Sequence, residues 1–452
     1  MIDNVTSDET NEITALVAQH VADIVELLNT RSTKDASKLL GVLPLERAID
    51  VFDQPGLEKP AVLMQALPVD RAVAVLSGMS ADRMTDLFRH LPEPSRSTLL
   101  ARLDRDTQAS LLRLLSYPKD SAGSIMTTEF VGVPATFTIA QTLEHIRRVE
   151  RSRETIYAIY VLDPEQKTLI ATVTLRRLIT GKPDEPLLSD PHLRRPITVS
   201  PLTDREEVAR LISKYDLLAI PVVDESSHVL GIVTVDDVID AIFEEDTEDV
   251  QKFGGMSALD QPYKDIDFGT MIRKRAGWLC ALFLSEMLTA TAMQYFQTEL
   301  EKAIVLTLFI PLIMSSGGNS GSQATSLIIR ALALRQINLN DWWRVAMREL
   351  PTGVVLGAIL GLIGIVRITV WQTLGLYNYG DHWLLVALTV GGALVGIVTF
   401  GSLSGSLLPF ILQRIGFDPA SASAPFVATL VDVAGLIIYF GVAALILTGT
   451  LL

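Results

Sequence analysis

PFVATLVDVAGLIIYFGVAALIL, residues 425–447, is the stretch whose reading decides the fold. It is long enough to cross the ~30 Å hydrocarbon core of a bilayer as a helix, and it carries one charged side chain, Asp432, near its middle. A carboxylate at that depth costs about 2.5–3.5 kcal/mol on insertion scales unless water, a cation or a partner offsets it. Asp432 therefore reads as a functional group facing a polar cavity. The bland alternative is a lone Asp that snorkels or pairs with a basic group on a neighbouring span.

The rest of the chain extends the membrane reading. Of its 452 residues 49% are hydrophobic, and the mean hydropathy is +0.35, which puts a membrane class ahead of any soluble one. Charge is partitioned. Residues 271–452 hold 10 Lys+Arg and 8 Asp+Glu out of totals of 38 and 52, leaving 28 against 44, net −16, in residues 1–270. That balance disfavours nucleic acid and anionic lipid headgroups as partners and favours cations. Cys280 is the single cysteine, so an intrachain disulfide or a Cys-based metal site is excluded. The first ten residues lack a basic stretch followed by an apolar one, so no cleaved signal peptide is expected and the N-terminal region should stay in the cytoplasm.

Five spans fit the hydropathy, over 277–296, 304–329, 350–373, 383–412 and 422–447. Arg273-Lys274-Arg275 precedes the first; Arg330, Arg335, Arg344 and Arg348 surround the loop after the second; Arg414 follows the fourth. The intervening loops are poor in basic residues, which predicts a cytoplasmic N-terminus and an external C-terminus for a multi-pass cell-membrane protein. The second span holds Pro311 and then SSGGNSGSQATS, residues 315–326. Broken backbone is tolerated at that depth only where protein or a water-filled cavity satisfies it, so this run is expected to interrupt the helix and line a hydrated path with hydroxyls, carbonyls and the Asn319 amide. The alternative is a packing seam of small residues. Gly353/Gly357/Gly361 in the third span and Gly392/Gly396 and Gly401/Gly405 in the fourth read as packing faces.

Ahead of the spans, residues 10–118 read as short amphipathic helices. Leu67-Pro68 and Leu91-Pro92 recur with one spacing, which predicts a superhelix of helical pairs. Asp82, Asp86 and His90 there read as a solvated face. Two βαβ-like units follow, the second containing GIVTVDD, residues 231–237. They resemble a tandem CBS pair, a regulatory module that often binds adenine nucleotides. Thr234 and Asp237 are the ATP candidates, at a helix start that favours phosphate; the first copy has Arg177 in the Asp position. A purely structural dimerising pair is the alternative. Asp236, Asp240 and Glu244 share one face of the next helix, joined by Asp237, Glu245, Asp246, Glu248 and Asp249. Like charges at that spacing repel, so counter-ions or simple solvation must serve the face. A connecting segment with a Gly254-Gly255 break and Pro262 leads to the membrane.

FIPLIMSSGGNSGSQATSLIIRALA, residues 309–333, PFVATLVD, residues 425–432, and YPKDSAGSIM, residues 117–126, resemble the motifs of the MgtE magnesium channels. The resemblance covers nearly the whole chain. It implies a helical superhelix over 1–120, an α/β CBS pair over 121–182 and 183–245, a connecting plug helix over 246–270 and an all-α five-helix pore domain over 271–452. It also implies a homodimer in the lipid bilayer that passes Mg²⁺ passively through a central pore. Asp432 would concentrate the ion; Gly317, Gly318, Asn319 and Gly321 with Ala428 and Thr429 would form the adjoining wall. Cytosolic Mg²⁺ on Asp236, Asp237, Asp240, Glu244, Glu245 and Glu248 would close the pore. Where relatives often carry Asn before the pore-span proline, this chain has Ala424. Inside the first span, where many have a small residue, it has Glu286, which reads as a second pore or coupling carboxylate, a dimer-interface partner or an interfacial residue. An enzyme is not expected, since no nucleophile–base pair or P-loop occurs. The rivals are a transporter of Co²⁺ or Zn²⁺ with this architecture, and a membrane-anchored nucleotide sensor. The pore motifs contain no Cys or His, which argues against a soft-ion site.

Overall fold

The Leu-Pro step occurs a third time, at Leu43-Pro44, and it organises the first part of the chain. A computed structural model describes residues 16–150, 153–189, 196–259, 263–264 and 266–451. Pro262 and the N-terminal ten residues lie outside them. The chain divides into two units, Met1–Glu244 and Glu245–Leu452.

In the first unit α1 (Val21–Thr30), α2 (Thr33–Val42), α3 (Leu45–Phe52), α4 (Pro60–Ala66), α5 (Val69–Leu76), α6 (Ala81–His90), α7 (Ser95–Leu100) and α8 (Arg105–Leu115) form the superhelix. Each of the first six packs on the helix two places further along. Pro44 and Pro68 stand at the N-caps of α3 and α5, where the ring presets φ and the preceding leucine is held extended, ending the helix before it. The leucine of each step is buried: Leu43, Leu67 and Leu91 all join the apolar core with Leu40, Val51, Val75 and Phe88. Asp53, the C-cap of α3, accepts hydrogen bonds from Ser80 N (3.1 Å) and Ser80 Oγ (3.3 Å) just before α6.

The two βαβ units follow as expected. β1 (Val131–Pro134), α9 (Ile139–Val149), β2 (Ala158–Leu162), β3 (Leu169–Thr174) and α10 (Leu175–Thr180) make the first. β1 pairs parallel to β2 and β2 antiparallel to β3. The second has α11 (Arg205–Tyr215), β4 (Ala219–Val223), β5 (Val229–Thr234) and α12 (Val235–Phe253), with β4 and β5 antiparallel and Val199 bridging parallel to Val222. The copies are stitched by paired bonds between Thr127 and Ile232, each 2.9 Å, and by a shared core of Ala158, Tyr160, Ala219 and Ile232.

The second unit contains α13 (Phe268–Tyr295), a short α14 (Gln297–Lys302), α15 (Ile310–Ala333), α16 (Trp342–Thr373), α17 (Trp383–Arg414) and α18 (Ala424–Leu447). The five long ones are long and apolar enough to cross a membrane. α17 is central and packs on α15, α16 and α18. A Cβ on Gly405 would lie 2.1 Å from Gly321 O, and one on Gly357 would lie 2.6 Å from Val395 Cα. Glycine is therefore required for the backbones of α15, α16 and α17 to approach this closely.

The interruption expected in the second span does not occur. After a 3₁₀ turn over Ile304–Phe309, α15 runs unbroken through the serine-glycine run. Lipid offers no partner to a loose backbone group, so the helix keeps its ladder. Hydroxyls fold back on their own helix, Ser316 Oγ to Leu312 O at 2.7 Å and Thr325 Oγ1 to Gly321 O at 2.9 Å. The helix that closes the second copy, α12, runs unbroken to Phe253. It ends where Gly255 adopts φ +76°, a left-handed conformation that closes helices. Of the connecting helix expected over 246–270, the described residues place 246–253 at the end of α12 and 268–270 at the start of α13, whose N-cap Asp267 accepts from Thr270 N at 2.9 Å.

Two stability outcomes follow. Gly405→Val should lower the thermal midpoint of the detergent-solubilised protein, with an overpacking cost of about 1–3 kcal/mol. Gly441→Ala, where a Cβ meets nothing within 4 Å, should leave it unchanged or raised; an unchanged Gly405→Val midpoint would disprove the tight seam. Burial pushes the Asp53 carboxyl up to about 7 against the Ser80 hydrogen bonds, and the Asp82 charge adds to the rise. The folded protein then holds more protons than the unfolded one from about pH 4 to about 7, so this site loses stability as pH rises through that window. Asp53→Asn should be more stable than wild type at pH 8 and not at pH 4, measured by thermal unfolding in Mg²⁺-free buffer.

Candidate ion path and acidic surface

Asp432 is half-buried on α18, and among the described residues it has no hydrogen bond or ion pair. Its helix starts at the Ser423 N-cap, where Ser423 Oγ accepts from Phe426 N at 3.4 Å. α15 and α18 run antiparallel. A Cβ on Gly317 would press on Val431, one on Gly321 on Val427, and one on Gly435 on Met314. That register puts Asp432 level with Ser315 and Ser316, and Asn319 level with Thr429, one turn away.

The second span divides its residues between two faces. Gly317, Gly318 and Gly321 are buried, with Gly317 packed on Ile397 and Val431 and Gly318 on Ala428. Ser315, Asn319, Gln323 and Ser326 are exposed along the other face, a polar stripe at helical spacing. The small residues thus form a packing seam, with the three glycines expected in the wall buried in it, and a polar stripe lies on the opposite side of the same helix. Asn319 Nδ2 donates to Ser315 Oγ at 3.5 Å. Thr429 is buried and its hydroxyl donates to Pro425 O at 2.9 Å. Ala428 is half-buried, and Ala424 O accepts from Ser322 Oγ at 3.5 Å.

Glu286 is exposed on α13. Trp278 meets Phe426 with ring centroids 6.3 Å apart, and Phe296 stacks on Phe440 at 4.7 Å. These two pins make α13 and α18 parallel, and Glu286 and Asp432 fall at matching fractions of the distance between them. Glu286 is accordingly the charged group that acts electrostatically on Asp432.

In the first unit, α12 presents its carboxylates to two arginines. Arg83 Nη2 lies 2.6 Å from Asp240 Oδ2 and 3.9 Å from Asp237 Oδ1, and Arg83 Nε lies 3.8 Å from Asp82 Oδ2. Arg205, 4% exposed, pairs with Glu244 at 2.9 Å and Asp120 at 3.7 Å. Thr234 Oγ1 donates to Asp237 Oδ2 at 2.6 Å. Burial, joined by the Asp82 charge, pushes Asp237 up to about 8. Asp236 is exposed. Asp82 corrects the solvated-face expectation: its side chain is 11% exposed and its Oδ1 is buried without a hydrogen-bond partner. Short α6 turns Ala81, Met84 and Thr85 into the core and draws Asp82 in with them. Asp86 and His90 keep side-chain exposures of 59% and 44%, as expected. Sequence periodicity gave no signal for Asp82, nor for Arg83 and Arg205 as the cations of this surface.

In the second unit, Lys252 Nζ lies 2.6 Å from Glu248 Oε1 and 2.5 Å from Asp418 Oδ2. Burial alone would lower the Lys252 pKa, but the hydrogen bonds to Asp418 and Glu248 together raise it. Phe253 packs with Ile329, Ala420 and Ala422, and Arg330 pairs with Asp246 at 3.0 Å. Glu245 is half-buried. Among the described residues no group of three or more His, Cys, Asp or Glu side chains is arranged to hold a metal ion.

Comparison with known proteins agrees with this architecture. Residues 310–442 match MgtE, a divalent cation transporter family, residues 19–120 match the MgtE intracellular N domain, and residues 192–244 match the CBS domain. The magnesium transporter MgtE of Thermus thermophilus is 40% identical over 333 residues, 73% of this chain and 71% of that protein. The magnesium transporter MgtE of Enterococcus faecalis is 36% identical over 329 residues, 73% of this chain and 70% of that protein. A crystal structure of the cytosolic domain of the Mg²⁺ channel MgtE in complex with ATP aligns with 50% of this chain and 92% of that chain, at 33% identity and a TM-score of 0.48. With two thirds of such relatives covered at this identity, the chain belongs to the MgtE family of divalent cation transporters.

Proposed function

We propose that this protein transports Mg²⁺ as a homodimeric channel in the cell membrane, passively along the electrochemical gradient, and that cytosolic Mg²⁺ closes it. One observation carries the transport reading: an unpaired, half-buried carboxylate midway along an apolar span, level with the polar stripe of a neighbouring helix. Mg²⁺ is small, hard and slow to lose water, and is usually held through one or two carboxylates with several waters kept. A lone Asp432 beside hydroxyls and the Asn319 amide suits a hydrated ion that must also leave. The relatives named as magnesium transporters support Mg²⁺ as the ion.

The homodimer is supported by what one chain leaves uncovered. Ser315, Asn319, Gln323 and Ser326 are exposed on α15, and α13 has no buried residue. Lipid contact along a polar stripe is unfavourable, so a second protomer enclosing a water-filled path is the reading that satisfies it. Asp432, Asn319 and half-buried Ala428 then belong to the path, with Glu286 beside it, while Gly317, Gly318 and Thr429, which are buried, support the wall from behind. The N-terminus is cytoplasmic and the C-terminus external by the charge asymmetry of the loops.

The regulatory reading rests on the acidic face of α12. Asp236, Asp237, Asp240, Glu244, Glu245 and Glu248 repel one another, and Mg²⁺ held through its waters lowers that repulsion without a formed chelate. A bound ion closes the pore only to the extent that it binds the closed arrangement more tightly. The unpartnered Asp82 oxygen facing this surface supports a cation there. At Thr234 and Asp237 an ATP phosphate or ribose would replace the hydrogen bond between them, at a helix start suited to anions.

Proteoliposome uptake tests the path. Asp432→Asn and Asp432→Ala, at matched incorporation, should each lower Mg²⁺ flux by roughly tenfold or more, equivalent to about 1.4 kcal/mol of lost ion stabilisation. Wild-type flux in both would remove Asp432 from the path. Neutralising Asp236, Asp240 and Glu244 together should shift inhibition by internal Mg²⁺ to higher concentration without lowering the flux measured in its absence. An unchanged inhibition curve would rule these carboxylates out as the sensor.

A further inference from the structure

A strongly acidic region of the chain, net −16 over residues 1–270, contains a recess of about 360 Å³ whose wall is basic. It is lined by Arg89, His90, Arg96, Leu115 and Lys119. Among the described residues Arg89, Arg96 and Lys119 have no carboxylate partner; Asp86, 3.6 Å from His90 Nδ1, is the one acidic side chain paired to the wall. Arg89 is fixed in place, its Nη2 donating to Leu114 O at 3.5 Å and Tyr117 O at 3.0 Å.

Helix electrostatics account for only half of this set. Arg89 and His90 occupy the last turn of α6, where cations complement the helix dipole. Arg96 lies in the first turn of α7, the end where a cation is disfavoured, and Lys119 follows Pro118 beyond α8. Three unpaired cations on one concave wall repel one another unless an anion sits among them. Two guanidinium forks and an ammonium are the groups that recognise phosphoryl oxygens.

We infer that this recess is a binding site for a compact phosphate-bearing anion with two phosphoryl groups, of the inorganic pyrophosphate class. Its wall joins the end of α6, α7, the end of α8 and the segment that leads into the first βαβ unit. A bound diphosphate would tie that segment to the helical superhelix. The neighbouring cleft, lined in part by Asp82, Asp237 and Asp240, shares Arg89 and Lys119 with the recess. An effect of the anion on Mg²⁺ inhibition rests on the gating reading above; binding itself does not.

The test is calorimetric titration of pyrophosphate into the full-length protein in nanodiscs of zwitterionic lipid, in Mg²⁺-free buffer. Saturable binding is expected, weakened at least tenfold in the Arg96→Glu/Lys119→Glu variant, about 1.4 kcal/mol, and kept by Arg96→Lys/Lys119→Arg. Binding should also weaken as salt is raised. If the charge-reversed variant unfolds, Lys119→Gln alone is used, since that side chain is exposed, with the same direction expected. No saturable binding, or equal affinity in wild type and charge-reversed variant, overturns the site. Repeating the titration in nanodiscs containing phosphatidic acid separates the sources. Loss of pyrophosphate binding there shows that a lipid phosphate fills the same recess, and unchanged binding assigns it to a soluble anion; both uphold the phosphate chemistry.

Discussion

Hydrocarbon supplies no hydrogen bonds, and that constraint shapes the membrane unit more than any single contact. Every backbone group must be satisfied within its own segment, so a run as rich in serine and glycine as residues 315–326 stays helical. Such a helix would be poor in water, where glycine costs about 1 kcal/mol relative to alanine. Here the missing side chains permit what compensates for them. Gly317 and Gly321 let α15 meet α17 at backbone distance, while the hydroxyls on the opposite side return to their own carbonyls or remain exposed. One sequence thus builds a packing seam and a polar face on one helix.

This double use explains why part of the membrane unit was legible in the sequence and part was not. Asp432 stood out because it is the one charge in an apolar run, and the need to offset its cost is evident before its neighbours are known. The glycine seams of α16 and α17 were legible from their spacing alone. The state of the second span was not, because a broken helix and a close-packed one call for the same small residues. Only the position of Gly405 opposite Gly321 distinguishes them, and that is tertiary information. Glu286 is a similar case. Its level opposite Asp432 follows from the Trp278–Phe426 and Phe296–Phe440 contacts, which no local pattern encodes.

In the first unit the legible part was the repeat. Leu-Pro steps mark helix boundaries by a local steric rule, so they can be read without the fold, and the third at Leu43-Pro44 obeys it too. Burial of charge cannot be read this way. Asp82 and Asp86 are one turn apart on the same short helix, yet one side chain is 11% exposed and the other 59%. The difference is made by the core-facing turn of Ala81, Met84 and Thr85, which draws Asp82 in and leaves Asp86 in solvent. The acidic face was visible in sequence as a row of like charges; the arginines that hold it were not.

The two ends of α12 resolve the same electrostatic problem differently. Toward its start, Arg83 and Arg205 each serve more than one carboxylate, and Asp82 keeps an oxygen without a partner. Toward its end, Lys252 is held between Glu248 and Asp418 at 2.6 and 2.5 Å. A fully paired surface would gain little from an added cation, because Coulomb attraction to it would already be spent on the resident partners. An unpaired one would bind any cation strongly but would be costly to fold. The start of α12 lies between these limits, with fewer positive groups than carboxylates. On the proposed reading this is what a sensor of a weakly dehydrating ion requires: affinity that comes from residual charge, and release that needs no coordination bond to break.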